Sequence, residues 1–258
     1  MSQLYFATSA RSAVGLVRSG NEDSGVVSPR LIAVADGMGG HAAGEVASRI
    51  AITSLSDLSQ VFATSDIDAE SADDIYLNSI YSIDADIKEA VADNPELSGM
   101  GTTLTSLFLR DDKIALLHIG DSRAYRLRGN SLEQLSVDHT VIQELLSQGA
   151  ITESEIATHP QRSVLTQVLM GEGKLELPLP IFEGKIKDRY LVCSDGLSSV
   201  LTEKEIKSLM KGKDRDAVVT ALIDATYING APDNVTVVIA DLVEEPQTEQ
   251  IEKIGAAQ

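Results

Sequence analysis

The chain has 258 residues, 43% of them hydrophobic and 23% charged, a composition typical of a globular protein with a sizeable core. Its 39 acidic and 21 basic residues give a net charge of −18, which disfavours nucleic acid and anionic membrane surfaces as partners. No run approaches the roughly 20 apolar residues of a membrane span, and residues 1–9 lack a secretory signal. A single cysteine excludes an internal disulfide. We expect one large cytoplasmic domain.

The first half of the chain alternates short apolar runs with amphipathic segments. Residues 31–35 predict a buried strand that ends at Asp36, in a glycine-rich turn. Apolar residues spaced three and four apart then predict helices over residues 44–58 and 73–91. A meander of three strands follows, over residues 102–109, 113–119 and 124–127. Its middle strand is followed by Asp121, so a second strand also leads to an acid.

The second half repeats this pattern after an irregular stretch. Short helical segments, turns and a proline between residues 138 and 174 predict an inserted subdomain. The apolar run 189–193 then leads to Asp195, and two helices are predicted over residues 202–210 and 214–227. Asp233 directly precedes the strand predicted over residues 235–242. From residue 243 the sequence is polar without an apolar period, which predicts a flexible C-terminal tail over 243–258.

Acids at strand ends recur far apart in this sequence. Four of them, Asp36, Asp121, Asp195 and Asp233, would repel one another if the strands brought them together, and divalent cations would remove that conflict. Oxygen ligands without a Cys or His cluster favour Mg²⁺ or Mn²⁺ over Zn²⁺. A glycine adjoins three of these acids. An aspartate next to a glycine is also common in turns, but three such pairs, each after an apolar strand, favour a functional interpretation.

Six segments together carry a family resemblance. They are Arg18-Ser19-Gly20-Asn21-Glu22-Asp23, Val34-Ala35-Asp36-Gly37-Met38-Gly39-Gly40-His41, Gly101-Thr102-Thr103, Gly120-Asp121-Ser122-Arg123, Ser194-Asp195-Gly196 and Pro232-Asp233-Asn234-Val235-Thr236. With these segments, in this order, the chain resembles the bacterial metal-dependent protein phosphatases of type 2C (PPM). The resemblance covers residues 11–241 and implies an α+β fold, a four-layer α-β-β-α sandwich with two central antiparallel sheets.

The resemblance also implies roles for individual residues. Asp36 would bridge two Mn²⁺ or Mg²⁺ ions, completed on one side by Asp195 and Asp233 and on the other by Glu22 and the Gly37 carbonyl. Asp121 with Asp195 would form a weaker third metal site. Arg18 corresponds to the phosphate-binding arginine of the family, and a planar guanidinium suits bidentate contact with phosphoryl oxygens.

Other reactive side chains have alternative interpretations. His41 follows the glycine turn; it could protonate the leaving oxygen of the substrate, or it is an exposed loop histidine, and both interpretations are open. We expect His118, His139 and His159 to be structural. Cys193 ends an apolar strand and lacks a phosphate-binding loop after it, which favours core packing over a nucleophilic role.

These inferences predict a phosphatase catalytic domain over residues 1–242, with a flap subdomain at about 139–174. The expected activity is hydrolysis of phosphoserine and phosphothreonine in proteins, by water activated at a dinuclear Mg²⁺ or Mn²⁺ centre. Expected partners are phosphorylated proteins and the serine/threonine kinases that the enzyme would oppose. We expect a monomer that binds neither nucleic acid nor membrane.

Two rival functions remain open at this point. One is a phosphoprotein-binding module that keeps the fold without catalysis, which loss of Asp36, Asp195, Asp233 or Arg18 would have favoured; all four are present. The other is a phosphatase of small phosphate esters, which only the family resemblance disfavours.

Overall fold

The computed structural model describes residues 3–39, 43–65, 67–173, 175, 177–247 and 250–258. These residues form twelve β-strands and six α-helices. The strands are β1 (Tyr5–Ala13), β2 (Asp23–Val27), β3 (Leu31–Met38), β4 (Gly101–Thr102), β5 (Leu104–Arg110), β6 (Lys113–Ile119), β7 (Arg123–Arg128), β8 (Ser131–Gln134), β9 (Ile181–Glu183), β10 (Arg189–Cys193), β11 (Val235–Val243) and β12 (Glu252–Gly255). The helices are α1 (Ala43–Thr64), α2 (Ala69–Asp93), α3 (Val141–Ser147), α4 (Asp195–Ser198), α5 (Glu203–Leu209) and α6 (Arg215–Ile228).

The strands build two antiparallel sheets. The first has the order β1-β11-β10-β7-β8, and the second has the order β12-β2-β3-β5-β6-β9, with β4 paired to the end of β3. Neighbouring strands are often distant in sequence: β1 pairs with β11 along its full length. Strand pairing within a sheet therefore joins segments from both ends of the chain.

Three apolar clusters separate four layers. The cluster between the sheets contains inward side chains of both, among them Phe6, Val34, Leu107, Leu116, Val192 and Val238. A second cluster joins α1 and α2 to the outer face of the second sheet, and a third joins α4, α5 and α6 to the outer face of the first. The predicted α-β-β-α sandwich is confirmed.

Burial on both faces explains why some strands were visible in the sequence. Residues 31–35 of β3 are all buried because α1 covers one face and the first sheet covers the other. A strand in this position reads as a continuous apolar run, and Asp36 is the first residue that departs from it. The layering therefore places a carboxyl group at the end of an otherwise apolar strand.

The predicted C-terminal tail is wrong for its last residues. Strand β12 pairs with β2, and Ile254 and Ala257 are buried. One apolar side chain in a four-residue strand leaves too little pattern to recognise, and the pairing that stabilises it joins segments more than 220 residues apart in sequence. In the described part of the chain, none of the helices combines the length and apolar character needed to cross a membrane.

Candidate active site

Acids from both sheets meet at one edge of the sandwich. Asp36 lies near the end of β3, Asp195 follows β10 by two residues, and Asp233 precedes β11 by two residues. Because β10 and β11 are antiparallel neighbours, the end of one lies beside the start of the other. The sandwich therefore brings together three acids that are up to 197 positions apart in the sequence.

These acids line a cavity of about 380 Å³. The lining residues are Arg18, Glu22, Asp36, Gly37, Met38, Gly39, Thr103, Asp121, Ser163, Leu165, Asp195 and Asp233. They include every predicted site residue except His41, which lies outside the described residues. The acids that the sequence predicts at separate strand ends thus share one cavity with the expected phosphate-binding arginine.

Gly37 is required by close packing at the cavity wall. A Cβ atom at this position would lie 2.1 Å from the Gly44 carbonyl oxygen and 2.6 Å from the Glu22 carbonyl oxygen. Gly37 N–H donates to that Glu22 carbonyl at 3.2 Å. Any side chain here would push apart the segments that carry Glu22 and Asp36.

Thr103 fixes the backbone of Asp36. The Asp36 N–H donates to Thr103 Oγ1 at 3.0 Å, and the Thr103 N–H donates to the Asp36 carbonyl at 2.9 Å. Thr102 Oγ1 donates to the same carbonyl at 3.0 Å. These three hydrogen bonds hold the backbone of Asp36 and do not involve its carboxyl group. The fixed backbone therefore sets the position from which the carboxyl group extends.

Burial and mutual repulsion raise the pKa of the clustered acids. Asp36 stays partly accessible through the cavity, yet the surrounding protein raises its pKa well above the ordinary value, and the charges of Asp23 and Asp195 raise it further. Burial likewise raises the pKa of Asp121 to about 7, with a further contribution from Asp195. The pKa of Asp195 is raised by burial and by Asp233, against a hydrogen bond with Asp36 that lowers it. Concentrated negative charge is the dominant electrostatic feature of the site.

Asp23 also belongs to this cluster, although no individual role is predicted for it. It is fully buried and lies opposite Asp36 in the β2-β3 pair. Ser194 Oγ donates to Asp23 Oδ2 at 2.7 Å and accepts from the Thr236 N–H at 3.0 Å. Burial raises the pKa of Asp23 to about 7 despite these bonds. In the sequence, the pair Glu22-Asp23 after Arg18 already places Asp23 among the recurring acids that could converge.

Asn234 is a second residue whose role appears only in the structure. Its Nδ2 donates to the Val14 and Gly20 carbonyl oxygens, each at 2.8 Å, and its Oδ1 accepts from the Glu22 N–H at 2.8 Å. The side chain is almost completely buried. Three hydrogen bonds from one amide therefore hold the loop that carries Arg18 and Glu22.

Arg18 is paired with one of the cavity acids. Its Nη2 donates to Asp233 Oδ2 at 2.6 Å, and this hydrogen bond is the main reason that the pKa of Arg18 is raised. Both side chains are partly exposed. The ion pair therefore remains open to competition from a solute anion or cation.

A buried carboxylate of α2 anchors the segment that borders the cavity after α3. Asp84 Oδ1 accepts from the Met170 N–H at 3.1 Å and the Gly171 N–H at 2.7 Å, and Oδ2 accepts from the Gly173 N–H at 2.8 Å. Leu169 pairs with Thr102 of β4. The segment that leads back from Ser163 and Leu165 is thus tied to the body of the domain. No pattern in the sequence distinguishes Asp84 from the other acids along the same predicted helix.

The other histidines and the cysteine considered in the sequence lie outside the cavity lining. His118 Nδ1 contacts Thr105 Oγ1 at 2.9 Å, and the ring stacks on His139 with centroids 4.8 Å apart. His139 Nδ1 accepts from the Gly120 N–H at 3.2 Å. Cys193 is buried, and burial raises the pKa of its thiol to about 12. These contacts agree with the predicted structural roles of His118, His139 and Cys193. His159 directly follows a short 3-10 helix, Glu153–Thr158.

The donor set of the cavity fits hard divalent cations. It offers carboxylate oxygens and the backbone of Gly37, and burial, followed by the neighbouring carboxylates, raises the pKa of Asp36 and Asp195. As the described side chains stand, no three acid, histidine or cysteine groups enclose an ion position, and Asp233 is paired with Arg18. A cation would therefore have to compete with Arg18 for Asp233.

Comparison with known proteins gives the family. A family model described as protein phosphatase 2C matches residues 21–226. This chain belongs to the protein phosphatase 2C family. The serine/threonine protein phosphatase PstP of Mycobacterium tuberculosis strain H37Rv is 41% identical over 244 residues, which cover 93% of this chain and 46% of PstP. The chain thus spans about half the length of that relative. The serine/threonine phosphatase stp of Listeria monocytogenes strain EGD-e is 34% identical over 238 residues, with 90% and 94% covered.

Solved structures of the family share the fold. The crystal structure of the Mycobacterium tuberculosis phosphatase PstP/Ppp superposes with a TM-score of 0.84 at 41% identity and covers 92% of this chain and 98% of its own. The catalytic domain of PstP in complex with two manganese ions gives a TM-score of 0.85 at 38% identity, with 93% and 100% covered. The sandwich described above is therefore the fold of these phosphatases.

Proposed function

We propose that this chain hydrolyses phosphoserine and phosphothreonine in proteins, with Mn²⁺ or Mg²⁺ bound in the acid-lined cavity. The observation that carries the proposal is the convergence of Asp36, Asp195 and Asp233 with Arg18 around one cavity. The names of the relatives and the two manganese ions of the PstP complex support it.

The acids of the cavity would hold the cations. Asp36 would contact two of them, with Asp195 and Asp233 on one side and Glu22 and the Gly37 carbonyl on the other. When bound, the two cations would activate water and neutralise charge on the phosphoryl oxygens. Asp121, beside Asp195, would serve a weaker third ion. The raised pKa values of Asp36 and Asp195 favour their protonated forms; a bound cation would offset their negative charges in place of the proton.

Arg18 would bind the phosphoryl group. Its guanidinium lies on the cavity wall, half exposed, and only Nη2 is engaged, with Asp233. A phosphate dianion offers it a second partner in bidentate geometry. By binding phosphate, Arg18 would hold the substrate. The same contact would free Asp233 to bind a cation. His41 remains the proposed donor of a proton to the leaving oxygen.

The test is metal-dependent turnover. We expect hydrolysis of a phosphothreonine peptide and of para-nitrophenyl phosphate with Mn²⁺ or Mg²⁺, and none with a chelator. Asp36→Ala should abolish both reactions, whereas Asp57→Ala, at an exposed acid of α1, should leave them unchanged. Undiminished turnover with the chelator or in Asp36→Ala would refute the metal mechanism.

The same assay separates the rival functions. Turnover of para-nitrophenyl phosphate without the peptide would support a phosphatase of small esters. Peptide binding without turnover of either substrate would support the binding module. The kinases that this enzyme would oppose can be approached by adding it to an autophosphorylated bacterial serine/threonine kinase and following loss of phosphate.

A further inference from the structure

Exposed apolar side chains lie on the two segments that lead to the cavity residues Arg18 and Asp233. Among the large hydrophobic residues that the structure describes, the three most exposed are Ile228, Val17 and Leu16, with 85%, 72% and 63% of their surface accessible. Single exposed apolar residues are common on protein surfaces, but a group beside a cleft marks an interaction site. Val17 directly precedes Arg18 of the cavity wall. We call Leu16, Val17 and Ile228 the apolar lip.

Hydrogen bonds join the loop of Leu16 and Val17 to residues on either side of Ile228. The Leu16 N–H donates to the Ala231 carbonyl at 2.9 Å, and the Gly15 N–H donates to Tyr227 Oη at 3.0 Å. A Cβ atom on Gly15 would lie 2.1 Å from the Asp233 carbonyl oxygen, so the loop runs directly against the backbone of a cavity acid. The lip is therefore fixed in place relative to the Arg18–Asp233 pair.

Further apolar side chains flank the rest of the cavity. Met38 lines it and is 40% exposed, and Val164, 44% exposed, lies between the lining residues Ser163 and Leu165. A strongly polar cavity is thus bordered by accessible apolar surface on more than one side. A phosphate ester that filled only the cavity would leave this surface in water.

We propose that the apolar lip binds apolar side chains that flank the phosphorylated residue of an extended polypeptide substrate. The proposal rests on the proposed function and specifies its substrate class. An extended chain advances about 3.3 Å per residue, so neighbours within two or three positions of the phosphoresidue reach the rim of the cavity. Acidic neighbours would be repelled by the cavity acids and by the net charge of −18. The lip therefore selects substrates with apolar flanks over acidic or small polar ones.

The experiment compares two phosphothreonine peptides with Mn²⁺ present, one with Leu and Val on both sides of the phosphoresidue and one with Ser there. For the wild type we expect kcat/KM to be roughly tenfold higher for the apolar peptide, mainly through KM. The double variant Val17→Ser with Ile228→Ser should bring this ratio close to one. Both side chains are exposed, so folding is not at risk.

The control is Val61→Ser. Val61 is also exposed, but it lies 18 residues along α1 from Ala43, roughly 27 Å from the cavity end of that helix. It should keep the wild-type ratio. Equal kcat/KM for the two peptides in the wild type, or an unchanged ratio in the lip variant, would overturn the lip proposal alone. Turnover of para-nitrophenyl phosphate without turnover of either peptide would overturn the proposed protein substrate together with the lip.

Discussion

Nη2 of Arg18 donates to Oδ2 of Asp233 over 2.6 Å, which pairs the proposed phosphate ligand with a proposed metal ligand. One carboxylate oxygen cannot serve the guanidinium and a cation equally well. A cation at Asp233 would therefore have to compete with Arg18, and a phosphate group that paired with the guanidinium would free Asp233 for it.

The first prediction separates these two roles. Arg18→Ala should lower kcat/KM for a phosphopeptide by roughly ten- to hundredfold, the equivalent of a charge-assisted hydrogen bond of about 1.5–3 kcal/mol. It should not weaken Mn²⁺ binding, because Asp233 loses a competitor. Asp233→Asn should weaken Mn²⁺ binding instead. Titration calorimetry with Mn²⁺ and steady-state kinetics check both variants, and weaker Mn²⁺ binding in Arg18→Ala would contradict the exchange.

The second prediction concerns stability without metal. The charges of Asp23, Asp195, Asp121 and Asp233 all raise the pKa of Asp36, so replacement by Asn removes a repulsive charge. In the presence of a chelator at pH 8, Asp36→Asn should melt at a higher temperature than the wild type, although it is inactive. Thermal unfolding followed by circular dichroism measures this, with Asp57→Asn as the matched control. A lower melting temperature would show that repulsion is not the dominant effect.

The third prediction is the pH dependence of that stability. Asp121 has its pKa raised from an ordinary 3.8 to about 7, so between these values the folded state binds a proton that the unfolded state lacks. With chelator, its contribution to stability is therefore complete below about pH 4 and lost as the pH rises through 7. The wild type should lose stability relative to Asp121→Asn over this window, by at most about 1.4 kcal/mol per pH unit.

The prediction uses the difference in stability between the wild type and Asp121→Asn because other groups titrate in the same pH range. His118 has its pKa lowered to about 3 by burial, so it adds stability as the pH rises toward 6.5, the opposite direction. This contribution is common to both proteins. Urea unfolding at pH 5, 6, 7 and 8 gives the difference, and a value independent of pH would rule out a raised pKa for Asp121.

The fourth prediction tests Asn234. Asn234→Ala leaves two carbonyls and one N–H group without their partner in a buried setting, at about 1–3 kcal/mol each if unsatisfied. We expect a lower melting temperature and a higher KM, because the loop that carries Arg18 and Glu22 is released. Asn229→Ala, at an exposed amide that caps α6, should change neither by a comparable amount. A variant with wild-type kinetics would show that the loop keeps its shape without Asn234.

The fifth prediction tests the Asp84 anchor. Asp84→Ala should increase hydrogen exchange at the amides of Met170, Gly171 and Gly173, which lose their acceptor. Asp86→Ala, at an exposed acid on the same helix, is the control. Because the anchored segment continues from residues that line the cavity, we also expect a changed KM for phosphopeptides. Unchanged exchange at the three amides would refute the anchor.

The sequence predicts the elements that are buried on both faces or are strongly periodic. Residues 31–35 and 189–193 read as apolar runs because packed layers cover them on two sides, and both are strands in the structure. Strand β2 was missed because Asp23, Ser24 and Gly25 form its first half. Its polar side chains are tolerated only because distant partners bind them: Ser194 for Asp23, and Ser48 for Ser24 at 2.9 Å. Such pairing has no local pattern.

The same distinction applies to the site. Acids beside apolar strands stand out; pairing of β10 with β11 brings Asp195 and Asp233 together, and packing of the two sheets brings Asp36 to them. Asp84 and Asn234 act through hydrogen bonds to backbone groups of other segments, which no spacing in the sequence reveals. The acids and the arginine that line the cavity could be predicted, whereas the groups that hold their segments in place could not.

Strand β12 covers the outer edge of β2, and the Ala256 N–H donates to the Asp23 carbonyl at 2.8 Å. A protease that removed residues 250–258 would leave the backbone groups of β2 unpaired, and unpaired strand edges associate with other chains. The same cut would loosen the strand that begins at Asp23, directly opposite Asp36. Cleavage before β12 would therefore disturb the acids of the cavity and promote self-association in a single event.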